Sequence, residues 1–143
     1  MQEDILASTF NEHIEFYSIN KYMKYIKNLL TILNQFKVYH WQTTSYAQHQ
    51  ALGGAYDALS NLIDTFIETY MGKYGRIEAK GGSTTIDLFN LDQLPVDGFV
   101  NNAVEYLVSL EIPDKNADTD LMNIRDEMLG ELNKLKYLLT LSN

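Results

Sequence analysis

The chain has 143 residues, a formal net charge of −8 and no cysteine. That length suits one domain with a sizeable core, so we expect a single domain over residues 1–143. The missing cysteines exclude disulfides, thiolate metal sites and a cysteine nucleophile, and the acidic charge argues against binding to nucleic acid, which needs clustered lysine and arginine.

Residues 1–17 are predicted to form an extension before the main helices. Apolar residues at helical spacing indicate a short amphipathic helix over residues 3–16. The opening residues Glu3 and Asp4 do not suit a signal peptide, and no apolar run approaches the ~18 residues that a membrane span requires. We therefore expect a cytoplasmic protein without a membrane partner.

Two strong helical patterns follow, over residues 18–42 and 46–73. In each, apolar residues recur every three or four positions, which is typical of a helix that buries one face. Between them, short polar residues at 43–45 suit a turn and a helix cap, which brings His40 close to His49. The apolar positions are Ile19, Tyr22, Met23, Ile26, Leu29, Leu30, Leu33 and Phe36, then Leu52, Ala55, Tyr56, Leu59, Leu62, Ile63, Phe66 and Tyr70.

A connection rich in glycine separates the second helix from the third. It is about twenty residues long, which suits a crossover along the length of a bundle better than a turn between neighbouring helices. Two further amphipathic patterns then predict helices over residues 97–111 and 119–141. The pattern predicts an all-α fold, a four-helix bundle with a long crossover between helices 2 and 3.

Two of the three histidines and three carboxylates lie between residues 40 and 68. Asp64 and Glu68 are one turn apart on the helical face opposite the apolar positions, so they could grip one cation. His49 precedes Asp64 by fifteen residues, which is ~22 Å along a continuous helix and far beyond the reach of a metal bond. If His40, His49, Asp64 and Glu68 serve one centre, a second copy must supply half of it.

The pair His40-Trp41, then His49, Asp64 and Glu68, resembles the ferroxidase signature of the Dps proteins, which are mini-ferritins. The similarity covers roughly residues 29–68 and, more loosely, 118–139. This chain departs from the pattern by being about three residues shorter between the histidines. It also has Gly53 where the family usually carries a further acidic ligand.

The resemblance implies a ferritin-like bundle that binds iron, as a mono-iron or di-iron centre, and oxidises Fe(II) with peroxide or dioxygen between subunits. It further implies a homo-oligomer, a dimer at least and a dodecamer in its relatives, with storage of Fe(III) inside. From its spacing, two turns before Asp64, Asp57 could be an auxiliary ligand, and Trp41 could accept oxidising equivalents beside an iron centre or simply belong to the core. In the loop before helix 4, Asp114, Asp118 and Asp120 would line a pore for iron.

Other interpretations of the same residues stay open. Asp64 and Glu68 could be a solvated helix face, and His40 could be a buried, hydrogen-bonded histidine. In that case the protein would be a non-catalytic helical dimer. A third interpretation is a scaffold stapled by zinc or manganese, without ferroxidase activity.

Overall fold

The computed structural model describes residues 18–78 and 83–142, so the helix expected within residues 3–16 lies outside it. The described residues form four helices and no strand, which confirms the all-α four-helix bundle. Helices α1 and α2 begin and end within one residue of the prediction, whereas α3 and α4 end three residues earlier than predicted. The bounds are α1, Ser18–Gln42; α2, Tyr46–Tyr74; α3, Val96–Val108; and α4, Thr119–Leu138.

The core is built from the apolar stripes of all four helices. Edge-to-face aromatic contacts join them: the ring of Tyr25 on α1 lies 5.3 Å from that of Phe66 on α2, and Phe36 lies 5.7 Å from Phe99 on α3. Helix α4 packs against both α2 and α3. The helices therefore close a ring in the order α1, α2, α4, α3. No helix among the described residues is long and apolar enough to cross a membrane.

Polar side chains of α1 hold the segment that leads into α3. The amide of Gln35, which is fully buried, donates to the carbonyl of Phe89 at 2.9 Å and accepts from its N–H at 2.8 Å. The hydroxyl of Tyr39 donates to the carbonyl of Leu94 at 2.6 Å, and Gln42 accepts from the same segment at 2.7 Å. Residues 89–94 are thus fixed beside the C-terminal end of α1. The full course of the connection stays a prediction, because residues 79–82 lie outside the described range.

Asp118, the residue before α4, is completely buried and joins α4 to the end of α2. Its carboxylate lies 2.7 Å from the ammonium of Lys73, accepts from the Tyr74 hydroxyl at 2.5 Å, and accepts from the N–H of Asp114 at 3.0 Å. The hydrogen bonds from Lys73 and Tyr74 hold the pKa of Asp118 below its ordinary value despite burial. A carboxylate engaged in this way does not suit the pore that the resemblance implied for it.

Candidate metal centre

The short turn between α1 and α2 brings His40 and His49 together. Helix α1 ends at Gln42, and the side chain of Ser45 caps α2 by accepting from the N–H of Gln48 at 3.1 Å. This cap satisfies a backbone donor that has no partner within the helix. The chain can therefore reverse over three residues, which places the last turn of α1 against the first turn of α2.

The two imidazole rings are stacked and bonded to each other's backbone. Their centroids are 3.8 Å apart and their planes differ by 15°. Nδ1 of His40 lies 2.7 Å from the carbonyl oxygen of His49, and Nδ1 of His49 lies 2.8 Å from the carbonyl oxygen of His40. Because a carbonyl oxygen can only accept, each Nδ1 must carry the proton. In the neutral rings, each Nε2 is then left as a lone-pair donor, the form that binds a metal.

Gly53 makes room for this arrangement. A Cβ atom at Gly53 would lie 2.9 Å from Cε1 of His40 and 3.1 Å from its Nδ1. Gly53 is one turn beyond His49 on α2, so the His40 ring lies over that turn. Any side chain at this position, including the acid found in the resembled family, would push the ring aside. The glycine is thus explained by packing around the histidine pair, a reason that the sequence did not reveal.

The substitution Gly53→Ala is expected to weaken binding of a metal at the histidine pair by at least about tenfold, the range seen when the support of a metal ligand is lost. The neighbouring Gly54→Ala is a matched control, because nothing lies within 4 Å of the added Cβ. It should leave metal binding unchanged and raise the free energy of unfolding by about 0.5–1 kcal/mol through helix propensity. Calorimetric titration with Zn²⁺ and denaturant unfolding check both. Equal affinities of the two variants would show that the ring does not depend on Gly53.

The predicted carboxylate ligands lie on the outer face of α2. Asp57, Asp64 and Glu68 are all exposed, whereas the buried positions of α2 are on its other side. Helix α2 is continuous, so His49 and Asp64 are separated by ~22 Å. Among the described residues no three histidine, aspartate or glutamate side chains lie together as a metal site. The chain brings the histidines together but does not join them to the carboxylates, and sharing between copies stays a prediction.

Trp41 is not part of the core, contrary to one interpretation of the sequence. It is 68% exposed, and Nζ of Lys37 lies 5.8 Å from the centroid of its ring. Tyr46 at the start of α2 is also 68% exposed, although no pattern in the sequence marks it as a site residue. The same lysine lies 4.5 Å from the ring of Tyr56. The histidine pair is therefore bordered by exposed aromatic side chains at this corner.

The stacked geometry decides how many ions the pair can serve. A metal binds in the plane of an imidazole, ~2.1 Å from the nitrogen. The planes of the two rings are nearly parallel and their centroids are 3.8 Å apart. No single position therefore lies in both planes at bonding distance from a nitrogen of each ring. As they stand, His40 and His49 can supply one nitrogen to each of two ions, but not two nitrogens to one.

No solved structure matches the chain. It is 28% identical, over 120 residues, to an uncharacterised 14.6 kDa protein from the mobD-ri intergenic region of Enterobacteria phage T4. The matched part covers 82% of this chain and 87% of the phage protein. Residues 40–139, which include both histidines and all four helices in whole or in part, match DUF5856, a family of unknown function, and the chain belongs to that family.

Proposed function

We propose that this protein is a Dps-like iron-binding protein that oxidises Fe(II) at a centre shared between two copies of the chain. The observation that carries the proposal is the hydrogen bond from each Nδ1–H of His40 and His49 to a backbone carbonyl. Histidines that bind metals usually make such a bond with the other ring nitrogen, which fixes the ring and leaves Nε2 for the ion. Imidazole and carboxylate together suit Fe(II) and leave positions for an oxidant.

Two ions, rather than one, fit the stacked rings. The ring centroids are 3.8 Å apart and the planes are nearly parallel, so one ion cannot lie in both planes at bonding distance from both rings. His40 would serve one ion and His49 the other, while Asp64 and Glu68 of a second copy would supply oxygen ligands. Two Fe(II) ions give up one electron each, and these two electrons with two protons reduce one hydrogen peroxide to two water molecules. With dioxygen as oxidant, the same two electrons and two protons would give hydrogen peroxide, and a second pair of Fe(II) ions would complete the reduction to water.

Storage of Fe(III) would be a second step of the same function. It requires a homo-oligomer that encloses a cavity, such as the dodecamer of the resembled family, whereas oxidation needs only the dimer. The ring order α1, α2, α4, α3 supports a ferritin-like bundle, because α2 and α3, which the long connection joins, are not neighbours in it. A reducing cytoplasm, which keeps iron as Fe(II), is the compartment that we expect. Nucleic acid is not an expected partner, given a net charge of −8.

A non-catalytic role is the second candidate, and the histidine pair also supplies its observation. Each ring donates a hydrogen bond to the backbone carbonyl of the other histidine, so the pair can hold α1 against α2 without any metal. The protein would then be a helical dimer or scaffold. Zn²⁺ or Mn²⁺ bound by the same ligands would hold the two subunits together without redox chemistry.

Anaerobic titration with Fe(II), followed by a measured addition of peroxide or air, tests the proposal. We expect two Fe(II) per chain to bind and then to oxidise faster than in protein-free buffer, with near-ultraviolet absorbance as the readout. Light scattering measures the mass of the assembly in the same samples. Binding without accelerated oxidation would favour the stapled scaffold. The absence of binding would overturn the iron function and leave the helical dimer.

A further inference from the structure

Three tyrosine rings form a continuous row from the core to the C-terminal end of α2. The ring centroid of Tyr25 lies 5.4 Å from that of Tyr70, and the centroid of Tyr70 lies 5.0 Å from that of Tyr74. Both separations are those of direct aromatic contact. Tyr25 and Tyr70 are buried, whereas Tyr74 is 46% exposed. An electron lost from either buried ring can therefore be replaced from ring to ring, which moves the vacancy to the surface at Tyr74.

The hydroxyl of Tyr74 has a different kind of acceptor from that of Tyr25. It donates to the carboxylate of Asp118 at 2.5 Å, the short distance of a charge-assisted hydrogen bond. The hydroxyl of Tyr25 donates instead to the backbone carbonyl of Glu111. A carboxylate is a far stronger base than a carbonyl oxygen. Of these two phenols, Tyr74 is the one that can transfer its proton as it loses an electron.

At rest the proton stays on the phenol of Tyr74. The hydrogen bond to Asp118 raises the pKa of Tyr74 above its ordinary value, and the hydrogen bond from Lys73 holds the pKa of Asp118 below its own. Loss of an electron reverses this balance, because an oxidised phenol is a much stronger acid than a carboxylic acid. The ammonium of Lys73, 2.7 Å from the same carboxylate, keeps the acceptor in place.

We infer that Tyr74 is a site of one-electron oxidation, at which a radical oxidant is reduced and the phenolic proton passes to Asp118. The O–H bond of Tyr74 breaks, the electron goes to the oxidant, and a phenoxyl radical remains. A hydroxyl radical that takes this electron becomes hydroxide.

Two such phenoxyl radicals on separate copies can couple, because the ring of Tyr74 is partly exposed. A carbon–carbon bond forms between the rings, and each ring moves the hydrogen of its bonded carbon to its oxygen. The product is dityrosine, and no further oxidant is needed. The site does not depend on the proposed iron centre, since His49 and Tyr74 are ~37 Å apart along the continuous helix α2.

Photo-oxidation with tris(bipyridyl)ruthenium and persulfate tests this site in the wild-type chain, because the Ru(III) complex takes single electrons from tyrosine. After brief illumination, mass spectrometry of peptides locates the modified rings. Tyr74 is expected to react about tenfold faster than Tyr137 or more, the factor that a hydrogen bond to a charged group supplies. Tyr137 is a suitable comparison because it is more exposed, at 62%, and no described carboxylate accepts from its hydroxyl. Equal rates, or a faster reaction at Tyr137, would show that exposure alone decides and would overturn the inference.

Matched phenylalanine variants give a second readout. Tyr74→Phe keeps the ring but removes the phenolic proton, and it is expected to lose most of the dityrosine, measured by its fluorescence. Tyr137→Phe should retain it. Without Tyr74, the products should move inward to Tyr25 and Tyr70, which stay unmodified in the wild-type chain. Dityrosine at the wild-type level in Tyr74→Phe would exclude Tyr74 as the site.

The role of Asp118 is tested by Asp118→Asn, which replaces the carboxylate with an amide that is a much weaker base. The oxidation rate of Tyr74 should fall to that of Tyr137, measured at a temperature at which circular dichroism shows native helix content. An unchanged rate would show that Asp118 does not accept the proton. The mapping in wild-type protein decides the site itself, whether or not this variant folds.

Discussion

The double variant Asp64→Ala, Glu68→Ala is expected to lose Fe(II) oxidation by about 100-fold or more. The loss should exceed the 10- to 100-fold that follows from removing a mere support of a metal ligand. Because both side chains are exposed, each substitution should change the free energy of unfolding by no more than ~0.5 kcal/mol. Stopped-flow oxidation and denaturant unfolding measure the two quantities.

A matched double variant, Glu105→Ala with Glu127→Ala, removes two exposed carboxylates from α3 and α4. It should oxidise Fe(II) at the wild-type rate. If both double variants behave alike, the carboxylates of α2 act only through the overall charge, and the proposed ligands are wrong.

Mixing two inactive variants tests whether the centre is shared. One variant lacks His40 and His49, and the other lacks Asp64 and Glu68. In each mixed dimer, one site has both histidines and both carboxylates and the other has neither. Random pairing makes half of the dimers mixed, so roughly a quarter of the wild-type sites should return. No recovery after subunit exchange would mean that each chain builds its own centre or has none.

The second large effect is expected at Asp118. Asp118→Ala removes the carboxylate that holds Lys73 and Tyr74 of α2 against the start of α4, and it leaves those donors without their shared acceptor. The melting temperature at pH 7 should fall well below that of wild type. Asp92→Ala, which removes an exposed carboxylate from the connection before α3, should melt close to wild type. A similar fall in both would indicate a charge effect rather than the loss of this contact.

The same variant should change how stability depends on pH. The pKa of Asp118 is lower in the folded chain than its ordinary value of about 3.9. Its contribution is therefore complete above pH ~4 and is lost as the pH falls through the folded pKa. The difference in melting temperature between wild type and Asp118→Ala should be largest near neutral pH and shrink in acid. A difference that is constant down to pH 3 would contradict this assignment.

Sequence periodicity predicted the helices because their apolar stripes are long. The starts of α1 and α2 and the turn between them follow from local spacing and from the cap at Ser45. The ends of α3 and α4 were placed three residues too late, because apolar residues such as Leu110 continue the stripe after the helix has stopped. Leu110 is fully buried although it is not helical.

The contacts that position the candidate centre are much harder to predict from the sequence than the helices are. The turn predicted that His40 and His49 would meet, but it could not predict that each ring bonds the other's backbone. In the sequence Gly53 resembles a missing ligand, whereas the reason for the glycine is the His40 ring from another helix, which no local spacing predicts. Gln35 and Phe89 are 54 residues apart, and no local pattern links a glutamine on a helix to a carbonyl in a connection.

The two hydrogen bonds between Gln35 and Phe89 divide the connection before α3 into two parts. The part before Phe89 tolerates added residues better than the part that follows it. Residues 83–85 are exposed, so a peptide tag or a small domain could be inserted there at little cost beyond loop entropy. The backbone carbonyls of Phe89 and Leu94 accept hydrogen bonds from side chains of α1. An insertion between these two residues would displace α3 relative to α1. A fluorescent label or purification handle therefore belongs before residue 86, where it also leaves the outer face of α2 untouched.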